Sequence, residues 1–186
     1  PLSIAEILAQ DVPDTKAIIR KPSPISSLEF FALWEHGGYP EPFLKRDPRF
    51  SRRWQSLRRQ QLLREDIRDL TQIQQLDQLA LLVNILSSQS ARQITYSTLS
   101  SHIQITIDTV RRWIHTLCNL HLCFLVRPWY KNVSRSLRKE PKWFLRDWSL
   151  IEDPGARAET FIACHLLKAV EGWTDLGLGE FHLGYL

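Results

Sequence analysis

Between Tyr96 and Leu145 a short helix, a three-residue turn, a longer amphipathic helix and two short apolar strands succeed one another. This order most narrows what the chain can fold into. Tyr96 to His102 reads as the first helix, with Leu99 and Ile103 as apolar positions. Gln104-Ile105-Thr106 is a tight connection, and the Thr106 hydroxyl suits an N-cap, where it accepts an N–H of the following turn. The second helix runs to about Leu120 and places Ile107, Val110, Ile114 and Leu117 on one stripe. Cys123 to Val126 and Lys142 to Leu145 are then two strands around a basic loop, Lys131 to Lys139. Helix, tight turn, helix is helix-turn-helix grammar, and a β-hairpin after the second helix makes it a winged helix.

The flanking segments are mostly helical. Leu2 to Ala9 is a short helix in which Ser3 and Glu6 have capping-box spacing. Asp11 to Pro24 holds three prolines and reads as an irregular connection. Leu28 to Trp34 is helical until Gly37-Gly38-Tyr39-Pro40 stops it. Arg52 to Leu70 is a long helix with Trp54, Leu57, Leu62 and Ile67 inward, and Leu76 to Ser87 is a strongly apolar one. Asp153-Pro154-Gly155 breaks the chain before a helix from Ala156 to Val170. Gly172 to Gly179 is a turn-rich link, and Glu180 to Leu186 alternates like a strand cut in its middle. The expected fold is mainly α, with a winged-helix module and the start of an α/β C-terminal region.

Composition fits a globular chain: 186 residues, 44% hydrophobic and 24% charged. The longest apolar run, Leu79 to Val83, is far too short to cross a membrane, so no membrane partner is expected. Three cysteines, an odd count, imply reduced thiols and a cytoplasmic address. The absence of methionine and the interrupted last strand imply a fragment of a longer protein. The net charge of +4 is unevenly spread. Lys45 to Arg68 holds nine basic against three acidic residues, and Arg127 to Asp147 seven against two, while Pro1 to Leu44 is acidic. Basic blocks of this kind suit phosphate contact, a solvated face or an acidic partner.

Several short segments resemble, in order, a widespread group of prokaryotic AAA-family ATPases. Pro1-Leu-Ser-Ile-Ala-Glu6 resembles the segment closing the ATPase core, and Gly37-Gly-Tyr-Pro40 the group's Gly-Gly-x-Pro signature. Arg64-Glu-Asp-Ile67 resembles its Arg-x-Asp-Ile helix. Thr109-Val110, Leu117 and Lys142-Trp-Phe-Leu-Arg-Asp147 resemble its winged-helix and Lys-x-Tyr-Phe-x-Asp segments, and Glu159 a helix-opening Glu. Trp148-Ser149-Leu150 departs from the small residue and Gly-Leu usual there. In that group the C-terminal half is a domain of unknown function with a restriction-endonuclease-like tail. The resemblance implies three regions: 1–45 as the tail of the ATPase core and linker, 46–150 as the helical and winged-helix domain, and 151–186 as the start of a nuclease-like α/β region. It also implies a parent protein that binds ATP and magnesium, and an ATPase core as partner.

This segment itself lacks the parts for that chemistry. No G-x-x-x-x-G-K-[ST] loop is present to cradle phosphates, so no ATP hydrolysis and no cofactor are expected here. Glu159 and Glu180 have no Asp…Glu-x-Lys partners with which to bind a catalytic metal. Cys118, His121 and Cys123 lie within six residues, but no fourth ligand has a recognised zinc spacing, and small core-filling thiols explain them better.

The sharpest candidate is a nucleic-acid face. Asp108, Arg111, Arg112, His115 and Asn119 lie opposite the apolar stripe of the second helix, where Arg111 and Arg112 would reach bases or phosphates. Arg135, Arg138, Lys139 and Lys142 would sit over the adjacent backbone. Asp108, near the helix N-terminus, opposes phosphate. Trp129, Tyr130, Trp143 and Trp148 either stack on unpaired bases or anchor the hairpin, of which the second is favoured. DNA contact and packing against an ATPase core or partner protein therefore both stand as readings, and the oligomeric state is open.

Overall fold

The computed structural model describes residues 1–9, 18–19, 22–62, 75–129 and 139–186. Among them are eight helices and a small three-stranded sheet: α1 Ile4–Ile7, α2 Ser27–His36, α3 Pro40–Lys45, α4 Pro48–Gln61, α5 Leu76–Ser88, α6 Tyr96–Ile103, α7 Ile107–Asn119, β1 Cys123–Pro128, β2 Lys142–Leu145, α8 Pro154–Asp175 and β3 Gly184–Tyr185. The helices expected over 2–9, 28–34 and 76–87 correspond to Ile4–Ile7, Ser27–His36 and Leu76–Ser88, the expected end at Leu70 lies outside the described residues, and the Ser3–Glu6 capping box is formed in full. Helix starts follow local chemistry. Ser26, Asp47, Thr106 and Asp153 each accept a backbone N–H of the first turn, and proline occupies the opening positions of α3, α4 and α8.

Several sequence expectations need correction. Pro40 opens α3 immediately after α2 ends, because a fixed φ near −65° suits a first helical residue as well as a stop. Asp153-Pro154 likewise starts α8, which continues through Gly172 to Asp175. Leu57 is 54% exposed: Ser51, Gln55 and the C-cap Leu62 face inward along α4, and Leu57 stands about 140° away from that line at 100° per residue. Ile107, on the first residue of α7, is 40% exposed, while Trp113 joins Val110, Ile114 and Leu117 in the buried stripe. The strand within Glu180–Leu186 is confined to Gly184–Tyr185. Ile67, Tyr130, Arg135 and Arg138 lie outside the described residues.

The pair β1–β2 is the centre of the packing. It is antiparallel, in register Cys123↔Leu145 and Phe124↔Phe144, and β3 lies parallel to β1 on its other side. Cys123, Trp143 and Leu145 face the core formed by α5, α6 and α7, which holds Leu82, Leu86, Leu99 and Trp113. Phe124, Val126 and Phe144 face Ala163 of α8, with the two Phe rings stacked 5.4 Å apart. Burial on both faces explains why these strands read as apolar runs rather than as alternating ones.

A second core joins the two ends of the chain. Trp148 packs edge-on to Phe161 of α8 and donates its indole N–H to the Leu33 carbonyl of α2 at 3.0 Å. The Gly37-Gly38 doublet fits this contact. A Cβ on Gly38 would stand 2.7 Å from the Trp148 ring, and one on Gly37 2.6 Å from Asp147 Oδ1. Gly37 also has φ 79° and ψ 179°, a region open only to glycine. Asp147 is buried, and its Oδ1 accepts both the N–H and the hydroxyl of Ser149. Burial pushes the Asp147 carboxyl up, opposed by these hydrogen bonds. On α8, His165 Nε2 accepts the Ile4 N–H at 3.2 Å while Nδ1 donates to the Phe161 carbonyl at 2.8 Å, an arrangement of the neutral ring. Burial lowers its pKa below the ordinary 6.5.

These contacts set two expectations. Gly37→Ala should destabilise by about 3 kcal/mol through its forced backbone conformation. Gly172→Ala, in a helix with open space around it, should stabilise by about 0.5–1 kcal/mol. Urea unfolding of both variants checks the contrast, and equal effects would refute it. For His165 the folded state resists the proton that the unfolded chain takes up near pH 6.5. Its contribution is therefore complete above that pH and is lost as pH falls toward the lowered folded value. Urea midpoints measured between pH 8 and 5 should fall less steeply for His165→Gln than for the parent chain.

Candidate nucleic-acid interface

The connection between α6 and α7 is held by its own backbone and by two hydroxyls. Gln104 adopts a left-handed conformation (φ 58°) that ends α6, and Ser100 Oγ donates to the Ile105 carbonyl at 2.6 Å. Thr106 Oγ1 then accepts the Thr109 N–H, starting α7 three residues after α6 stops. With Val110, Trp113, Ile114 and Leu117 buried, Asp108, Arg111, Arg112, His115 and Asn119 are all exposed, as the helical periodicity predicts.

A groove of about 790 Å³ lies between α7 and β1 and is also lined by residues 139–141, at the end beside the start of β2. Arg111 and His115 enter it from α7, Arg127 from β1, Lys139 from its rim and Arg146 from beyond β2. Among the described residues Glu140 is the one acidic residue in this wall, and its carboxylate accepts the Thr95 hydroxyl at 3.0 Å. Tyr185 of β3 also grips this end: its hydroxyl donates to the Glu140 carbonyl at 3.0 Å and accepts from Gln93 at 2.8 Å.

The candidate cations differ in how free they are. Arg111 lies 3.8 Å from Asp108 and 5.3 Å above the Tyr96 ring. Both partners of the ion pair are largely exposed, at 62% and 94%, so water and salt weaken it and it is easily exchanged for a phosphate. Burial raises the Tyr96 phenol pKa, against the pull of Arg127 and Arg111. Arg112 is exposed on the flank of α7 outside the groove wall. His115 Nδ1 is bonded to the Asn119 amide at 3.2 Å, and Lys139 is exposed.

Lys142 stands apart from this set. Its ammonium is 2.5 Å from Glu159 and 5.5 Å from the Tyr185 ring centre, with the side chain 28% exposed. It ties β2 to α8, and Glu159 serves there as its counter-ion.

Two wall residues escaped the sequence reading. Arg127 is the outward position at the end of an otherwise buried strand, a signal visible once the strand is extended past Val126. Arg146 pairs with Glu171 at 3.2 Å and lies 5.8 Å from the Phe124 ring centre, while its buried Nε has no hydrogen-bond partner among the described residues. Nothing local in the sequence foretells that placement. Of the aromatics, Trp143 and Trp148 are buried anchors, and Trp129 is 59% exposed.

Cys118, at the end of α7, and Cys123, opening β1, both belong to the groove wall, with their sulfurs 3.5 Å apart. The hydrogen bond from Cys123 lowers the Cys118 pKa despite burial, with Arg146 assisting. Burial, followed by the hydrogen bond and the charge of Cys118, raises that of Cys123. His121 sits in a left-handed turn (φ 55°) and lines a different cavity, with Tyr39 and Trp54. The three potential zinc ligands therefore do not converge, and no group of three or more metal-ligating side chains occurs among the described residues.

No curated protein and no solved structure matches this chain. A family model described as Domain of unknown function (DUF8612) matches residues 27–153, the span from α2 through the β1–β2 pair to the cap of α8. The chain therefore belongs to the DUF8612 family of domains of unknown function.

Proposed function

We propose that this chain is a non-catalytic winged-helix module that holds the backbone of duplex DNA against the groove between α7 and β1, as an accessory part of an AAA-type ATPase. The observation that carries the DNA reading is the convergence of Arg111, Arg127 and Lys139, with His115, on one open groove in which the single carboxylate among the described residues is engaged by Thr95. In winged-helix terms α7 is the recognition helix and β1–β2 the base of the wing. Phosphate contact needs only positive charge within reach, and Arg111, Arg127 and Lys139 supply it. Base readout is disfavoured, because Asp108 occupies the first turn of α7, where base-contacting residues usually stand, and it is 94% exposed. The ATPase context rests on the ordered sequence resemblance. Any ATP and magnesium chemistry belongs to the parent protein that this resemblance implies.

The alternative is a module that couples to an ATPase core or partner protein without DNA. Leu28, Phe31 and Leu44 favour it, since they expose apolar surface on α2 and α3 at 71%, 61% and 72%.

Fluorescence anisotropy with a random-sequence duplex separates the two. Binding should strengthen as salt is lowered, with a slope of log K against log salt of about −3 for three phosphate contacts. Arg111→Ala, Arg127→Ala and Lys139→Ala combined should weaken it at least about tenfold and flatten that slope. Lys142→Ala should change it little. An absence of binding at low salt would leave the coupling reading in place.

A further inference from the structure

Cys118 and Cys123 are brought together by the fold in an orientation that packing alone does not require. Cys118 ends α7 and Cys123 begins β1. Between them the chain reverses through Leu120 to His121, and the Leu122 N–H bonds back to the Leu117 carbonyl at 3.0 Å. This reversal leaves the two sulfurs 3.5 Å apart and hydrogen bonded. A disulfide bond needs them at about 2 Å, an approach of about 1.5 Å. Cys123 is fully buried, whereas Cys118 is half-buried in the wall of an open groove.

We propose that Cys118 and Cys123 form a reversible dithiol–disulfide site in the groove wall, oxidised by a low-molecular-weight disulfide of the glutathione kind. The accessible Cys118 attacks one sulfur of that disulfide, forming a mixed disulfide and releasing one thiolate, which takes up the proton lost by Cys118. Cys123 then attacks the Cys118 sulfur and expels the second small thiolate, to which its own proton passes. Two protein thiols are oxidised and one small disulfide is reduced to two thiols, so protons and electrons balance. The direction of the shift at Cys118 agrees with its role as the first nucleophile: the hydrogen bond from Cys123 favours its thiolate, and Arg146 adds positive charge. Burial raises the Cys123 thiol, so its step rests on the closeness of the two sulfurs. Cys164 is the internal contrast. Its thiol donates to the Leu145 carbonyl at 3.3 Å, and burial pushes its pKa up to about 12. This site does not depend on the DNA reading.

The test uses the whole chain, incubated without denaturant in buffers of graded oxidised and reduced glutathione, acid-quenched, alkylated in denaturant and digested with trypsin. Both thiols fall in one tryptic peptide, Trp113 to Lys131, because Pro128 blocks cleavage after Arg127. As the buffer becomes more oxidising, that peptide should pass to a form lacking two hydrogens and carrying no alkyl group, and it should return when reduced glutathione is restored. The peptide carrying Cys164 should stay alkylated throughout. Cys123→Ala should convert the product into a glutathione adduct on Cys118, rising at least tenfold over the parent chain. Cys118→Ala should leave Cys123 alkylated. A doubly alkylated peptide at every buffer composition, or a parent chain that halts at the glutathione adduct, overturns the proposal. Because the decisive readout is on the parent chain, it does not depend on the folding of either variant.

Discussion

Burial of the β1–β2 pair on both faces is the constraint on which the rest of the molecule depends. Two strands alone cannot hold a hydrophobic sheet in water. Here Trp143 and Leu145 are covered by α5–α7, and Phe124 and Phe144 by α8. Removing either cover would expose aromatic surface and leave the remaining contacts unable to offset the entropy of ordering the strands. The groove follows from this arrangement. It lies where α7 leaves the sheet, so its walls are one helix face and one strand end whose relative position is fixed by the shared core.

The second constraint is the closeness of Gly37-Gly38 to Asp147-Trp148. These segments are more than a hundred residues apart in sequence, yet neither glycine has room for a methyl group. The indole of Trp148 fills the space and donates its N–H to α2, so a large ring and a bare backbone specify each other. This contact unites α1–α3 with α8 and makes the fold's two ends one packed unit. It also gives the Gly-Gly-Tyr-Pro segment a physical reason that its role as a helix stop did not supply.

Much of this was legible in local patterns. The Ser3–Glu6 box, the Thr106 cap, the α6–α7 turn and the β2 bounds are set by neighbouring residues, and all stand as the sequence indicates. Misreadings arose where one residue type serves two purposes. Proline ended helices in the sequence reading, but it opens α3 and α8. Leu57 and Ile107 counted as inward because they are apolar, although their helix phase or end position exposes them. The candidate site was half legible. Periodicity alone aimed Arg111 and His115 outward. The withdrawal of Lys142 by Glu159 and the entry of Arg127 depend on which elements pack together, and no local pattern encodes that.

The grip of Tyr185 on the end of the groove has a mechanical meaning. Glu140 is clasped through its carboxylate by Thr95 and through its carbonyl by Tyr185, so the neighbouring Lys139 is carried on a backbone fixed from both directions. Trp129 donates its N–H to the Tyr185 carbonyl at 2.7 Å, which ties the far end of β1 to the same residue. One tyrosine thus braces both the end of β1 and the segment that carries Lys139, and its removal would loosen those two places together.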